Sequence, residues 1–126
     1  MIKGKKMLVV SAHAADYVWR AGGTIAKYIK EGADVHVVVL SFGGRGESND
    51  LWKMEGATAE SVKSIRKQET IEAANILGIK NIEFWDMQDY PMTFNSCLLY
   101  TSKSKNSDMV NSMSLFFVIN CSITSR

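Results

Sequence analysis

Residues 35–42, VHVVVLSF, constrain the fold more than any other stretch of this 126-residue chain. Apolar residues stand at both odd and even positions, so neither side of a strand built from them faces water. Their β-branching favours extended backbone. Such a strand belongs inside a sheet covered on both faces, the condition of a parallel sheet flanked by helices. Residues 7–10, MLVV, have the same character, and the run stops at the small residues Ser11 and Ala12.

The segments between supply helices. In residues 18–30, Ala21, Ile25, Tyr28 and Ile29 recur at helical spacing, with Lys27, Lys30 and Glu31 outward. Gly32 stands where a helix stop is wanted. Gly22 and Gly23 fall in the first turns, where glycine weakens a helix. Close packing on the sheet, or close approach of a ligand, would compensate. Residues 43–50, GGRGESND, read as a loop and 51–57 as irregular chain. A long helix spans 58–77, with Thr58 at its start, Gly78 at its end, and Val62, Ile65, Ile71, Ala74 and Ile76 as its apolar positions. Residues 82–85, IEFW, form a third strand, followed by a loop over 86–91.

The order β-α-β-α-β with short connections predicts right-handed crossovers and an α/β, Rossmann-like, three-layer α/β/α fold with a parallel sheet. Three loops then emerge on one edge of that sheet, the carboxyl ends of the strands, where open α/β sheets place their sites. They carry His13, Asp16, Arg45, Glu47, Asp86 and Asp89.

Composition narrows the classes. No apolar run approaches the roughly 20 residues of a membrane span, and the basic start leads straight into the first strand, so neither a membrane partner nor a signal peptide is expected. Cys97 and Cys121 form no CxxC, which points to neither a disulfide framework nor a thiolate zinc site; a reducing, cytoplasmic setting is expected. The net charge is +2, but the body to Thr93 is balanced and the surplus lies beyond it. The body offers no basic patch for nucleic acid. Residues 94–126 hold eight serines, no glycine and no alanine, with no helix and strand to continue the alternation. The expectation is a partial domain over 1–92 and a serine-rich tail over 93–126 that is not native to the fold.

Ala12-His13-Ala14-Ala15-Asp16, with a strand before it and Ala21-Gly22-Gly23-Thr24-Ile25-Ala26 after, resembles the PIG-L/LmbE-like superfamily. The likeness extends through Leu40-Ser41-Phe42-Gly43 and Ile65-Arg66-Lys67-Gln68-Glu69-Thr70, and covers roughly residues 5–91. That would be only the first part of such a domain. Val18-Trp19-Arg20, residues 41–48 and Asp89-Tyr90-Pro91 are similar to a hydratase branch of the superfamily, which adds water to a tricarboxylate in aromatic-acid breakdown. The superfamily otherwise contains zinc-dependent N-acetylglucosaminyl deacetylases with an Ala-His-Pro-Asp-Asp-Glu signature. The resemblance implies Zn²⁺ held by His13, Asp16 and a histidine from later in the chain. The signature's first aspartate, the deacetylases' general base, is Ala15 here, and its glutamate is Tyr17. Without a carboxylate at position 15 the usual base for amide attack is missing, which favours hydration over deacetylation.

On spacing alone, His13 and Asp16 are either metal ligands or a satisfied histidine and a helix-capping aspartate. The other histidine, His36, lies near the start of strand two. It stands roughly 20 Å of strand rise from the carboxyl edge, too far to be a third ligand. Two ligands of three imply weak or no metal binding by this polypeptide alone. Arg20 and Arg45 are candidates for holding substrate carboxylates, because a planar guanidinium pairs with them bidentately. Glu47 either handles a proton or pairs with Arg45. Arg66 and Glu69 read as a surface ion pair, and Asp86 and Asp89 as partners of the ligands or plain turn residues. GGRG is no phosphate loop, lacking both the GK[ST] ending and the GxGxxG spacing. The expected function is zinc-dependent hydration of a small unsaturated carboxylate, in a fragment that is itself inactive. A deacetylase and a non-catalytic binding module are the alternatives, and a homo-oligomer is open.

Overall fold

A computed structural model describes residues 2–45 and 48–88, and the backbone of 113–119. Its elements are β1 (Lys6–Ser11), α1 (Asp16–Lys30), β2 (Asp34–Val39), α2 (Asn49–Trp52), α3 (Ala59–Leu77), β3 (Asn81–Phe84) and β4 (Met113–Ile119). All pairings are parallel, in the order β3-β2-β1-β4. β1 and β2 run in register from Lys6 opposite Asp34 to Ser11 opposite Val39. The α/β fold and its parallel sheet are those the apolar runs predict.

β4 adds a parallel strand beyond residue 93, where the sequence offers no helix and strand to continue the alternation. It pairs with β1 along its length, with a register shift between Lys6 and Met7. A run such as 115–119, LFFVI, is strand-forming by composition, and an unpaired edge on β1 is where it gains ladder hydrogen bonds.

The two long helices share one face. Tyr17, Ala21 and Ile25 of α1 and Ala74 of α3 pack with Met7 and Val9 of β1 and Val35, Val37 and Val39 of β2. Val9, Val37, Tyr17 and Ile25 are wholly inaccessible. Burying a side chain of this size contributes about 1.5–3 kcal/mol relative to exposure. Opposite parity sends Leu8, Val38 and Leu40 to the other face, with Val10, Trp85 and Met87 against them. No helix residue is in that cluster among the described residues, so the second helix layer of the expected three is not seen packing there.

The helix ends follow local rules. Thr58 accepts from the Ser61 N–H and Ser61 reciprocates, closing a capping box on α3. Gly78 ends it in the left-handed region at φ 82°, and Gly32 takes φ 87° just beyond α1. Ile76 is a miss. It is 87% exposed, because two residues past Ala74 is about 200° around a helix, and Ile79 takes the core place instead. Strand two leaves the ladder after Val39, earlier than expected, and the stretch read as irregular contains the short α2.

The close-packing account of Gly22 and Gly23 fails. A Cβ at either position meets nothing within 4 Å. Gly23 is exposed and helical. Gly23→Ala is therefore expected to stabilise the chain by about 0.5–1 kcal/mol through helix propensity and unfolded-state entropy. Urea unfolding checks this; a lower midpoint would show contact there that the space around Gly23 denies.

Candidate metal and active site

β1 delivers its last residues to the carboxyl edge, and α1 starts there at Asp16, two residues earlier than the apolar spacing predicts. The residue before the helix, Ala15, offers no side-chain cap. Ser11 takes over that work. Its hydroxyl accepts from the Tyr17 N–H at 3.1 Å and donates to the His13 carbonyl at 2.7 Å. One of the helix's orphan N–H groups is thereby satisfied from the strand side. Asp16 is not the helix cap. Its Oδ2 accepts from the His13 backbone N–H at 3.0 Å.

That hydrogen bond folds the turn so that the two candidate ligands meet. His13 Nδ1 and Asp16 Oδ2 are 3.4 Å apart, with side chains 11% and 9% exposed. Two ligands bound to one tetrahedral zinc at about 2.0–2.1 Å stand about 3.4 Å from each other. The pair thus fits two vertices of a zinc site in separation and in donor chemistry. Among the described residues no group of three His, Cys, Asp or Glu completes it. His36 lies mid-strand opposite Leu8, on the face away from α1, with Nε2 3.3 Å from Glu83 Oε1. It is remote from the turn, as strand rise requires.

The sheet ladder carries over into the three loops. Leu40 N–H donates to the Ser11 carbonyl and Ser41 N–H to Ala12, at 2.9 and 3.0 Å; Trp85 N–H reaches Val39, and Met87 N–H reaches Leu40 at 2.8 Å. Arg45 therefore stands on the loop beside the His13 turn. It is exposed, and its carbonyl accepts from the Ser48 N–H. That loop is braced by Ser48 Oγ donating to the Gly43 carbonyl at 2.7 Å and by Gly43 N–H donating to Ser41 Oγ at 3.2 Å. Arg20 is exposed on α1. Glu47 and Asp89 lie outside the described residues. Asp86 serves the turn: it takes φ 47° and pairs with Lys63 of α3 at 2.7 Å, not with either ligand. Arg66 and Glu69 pair at 2.9 Å as expected, with the Glu69 side chain 53% exposed and the Arg66 side chain, at 14%, largely covered.

Two residues escaped the sequence reading. Tyr17 is fully buried beneath the turn, and its phenol donates to the Thr70 carbonyl at 2.8 Å. The Thr70 hydroxyl is 2.7 Å from the Arg66 carbonyl and 3.2 Å from that of Ala14. The available signal was Tyr17 itself, a large aromatic where the resembled signature has glutamate.

A profile of the PIG-L family, described as GlcNAc-PI de-N-acetylase, matches residues 8–115. A 4-oxalmesaconate hydratase of Pseudomonas putida is 51% identical over 96 residues, 76% of this chain and 37% of that protein. A 1D-myo-inositol 2-acetamido-2-deoxy-alpha-D-glucopyranoside deacetylase of Rhodococcus opacus is 37% identical over 76 residues, 59% of this chain and 26% of that protein. Among solved structures, GalB, the 4-carboxy-2-hydroxymuconate hydratase of Pseudomonas putida, superposes with a TM-score of 0.77 at 47% identity, over 83% of this chain and 43% of that one. The chain thus spans well under half the length of these relatives, which include a hydratase and a deacetylase. No described helix is long and apolar enough to cross a membrane. With the PIG-L profile matched over residues 8–115, most of this chain, and the fold superposing on GalB with a TM-score of 0.77, the chain belongs to the PIG-L family.

Proposed function

We propose that this chain is part of a zinc-dependent hydratase that adds water to an unsaturated oxo-tricarboxylate of the 4-oxalomesaconate kind, in aromatic-acid breakdown. The observation that supports it is the His13–Asp16 pair at 3.4 Å, with alanine at position 15 between them. The pair supplies a metal's imidazole and carboxylate, while the carboxylate that would serve an amide hydrolase is missing.

Zinc, when bound, supplies a Lewis acid for a substrate or water oxygen. His13 and Asp16 would hold it, with a third ligand, a histidine, that this chain's own sequence does not supply. Asp16 also fixes its own geometry, through the His13 N–H that its carboxylate accepts. Arg45, on its braced loop, is assigned to a substrate carboxylate by bidentate pairing, and Arg20 to a second. Glu47, beside Arg45 in sequence, is the candidate for moving the proton. The hydratase relative, at 51% identity, favours this reading over deacetylation, to which the deacetylase relative points.

The test uses two proteins: the 126-residue chain, and the same chain completed after the β3 loop with the remaining length of the Pseudomonas putida hydratase. Loaded with zinc, the completed protein is expected to remove the enone absorbance of the substrate and to release no acetate from an N-acetyl sugar; the short chain does neither. Acetate release alone would reverse the assignment, and silence in both assays would favour a binding module.

A further inference from the structure

The His13–Asp16 turn has no side-chain cap from Ala15; its internal bond from the His13 N–H to Asp16 shapes it, and two further ties fix it to the rest of the fold. Ser11 ties it to β1. The other tie comes from α3, more than fifty residues on, through one residue that meets the turn twice. Thr70 is 3% exposed. Its carbonyl accepts the Tyr17 phenol, and its hydroxyl shares its one proton between the Arg66 carbonyl at 2.7 Å, within α3, and the Ala14 carbonyl at 3.2 Å, the weaker of the two branches. These contacts bracket the candidate ligand Asp16, with Ala14 two residues before it and Tyr17 one after. Tyr17 needs the Thr70 carbonyl as well, because a buried hydroxyl left without a partner keeps the full cost of its desolvation.

We propose that Tyr17 and Thr70 act as a two-point clamp between α3 and the His13–Asp16 turn, and are positioning residues for the ligand pair. The proposal rests on the metal reading above for its purpose, while the clamp itself is a matter of backbone order. Supporting groups around ligating side chains are commonly worth about 10–100-fold in metal affinity. The clamp acts one step further out, on the backbone that carries both ligands.

The experiment compares the wild-type 126-residue chain with Tyr17→Phe, Thr70→Val and Thr70→Ser. The first readout is amide hydrogen exchange at His13 and Tyr17, with Val37 in the β2 ladder as the internal reference for global opening. Tyr17→Phe and Thr70→Val are expected to speed exchange at His13 and Tyr17 at least tenfold beyond any change at Val37. Thr70→Ser, which keeps the hydroxyl, is expected to stay within about twofold of wild type. The second readout, on the completed protein carrying the same substitutions, is cobalt(II)-induced broadening of the His13 ring signals, whose midpoint concentration is expected to rise at least threefold in the two disruptive variants. Exchange at the turn that merely tracks Val37 would overturn the clamp. A completed wild-type protein showing no cobalt effect at His13 would instead overturn the metal reading, and the exchange result would still decide the clamp.

Discussion

Tyr17→Ala is expected to cost about 3–5 kcal/mol, the range for emptying a fully buried aromatic site. Tyr17 is inaccessible to solvent and packs in the core formed by β1, β2, α1 and α3. Its loss opens a void under the active edge and leaves the Thr70 carbonyl without the phenol. Against a total stability of about 5–15 kcal/mol, such a loss takes much of what a domain has. Urea unfolding measures it; a cost under about 1 kcal/mol would mean that the site collapses without penalty and that Tyr17 is not a keystone. Tyr17→Phe separates the phenol from the ring. Burial pushes the Tyr17 hydroxyl up from 10.0 to about 12. The folded state therefore keeps a proton that the unfolded state gives up, and wild type loses stability as pH rises from 10 toward 12. Tyr17→Phe lacks that loss, so its deficit relative to wild type should shrink across that window.

Tyr17 also marks the limit of what the sequence revealed. Apolar runs such as 35–40 declared buried parallel strands because no parity was left for water. Thr58, Gly78 and Gly32 declared helix ends through local chemistry that any chain obeys. Those rules reach three or four residues. The contacts that shape the site reach farther: Ser11 to Tyr17 spans six residues, and Tyr17 to Thr70 spans fifty-three. No spacing rule encodes them. β4 was missed for a related reason. Its strand character was visible in 115–119, but parallel pairing needs no helix of recognisable pattern immediately before it, and that pattern was what the reading required. The three-residue spacing that predicts the Arg66–Glu69 pair says who is adjacent on a helix, not how far each partner is covered: Glu69 is 53% exposed and Arg66 only 14%.

The largest functional effect is expected at Asp16. Its carboxylate does two things: it accepts the His13 N–H, and it stands 3.4 Å from the imidazole. Asp16→Asn keeps an oxygen for the first task and removes the charge needed for the second. The fold is therefore expected to survive, with metal affinity down at least about a hundredfold, since losing a mere supporting partner already costs about 10–100-fold.

The direct measurement is anomalous scattering at the zinc absorption edge, on crystals of the completed protein grown with zinc. The account predicts a peak within about 2.0–2.2 Å of His13 Nδ1 and an Asp16 carboxylate oxygen, present in wild type and absent in Asp16→Asn. No zinc peak beside those two side chains in wild type would contradict it.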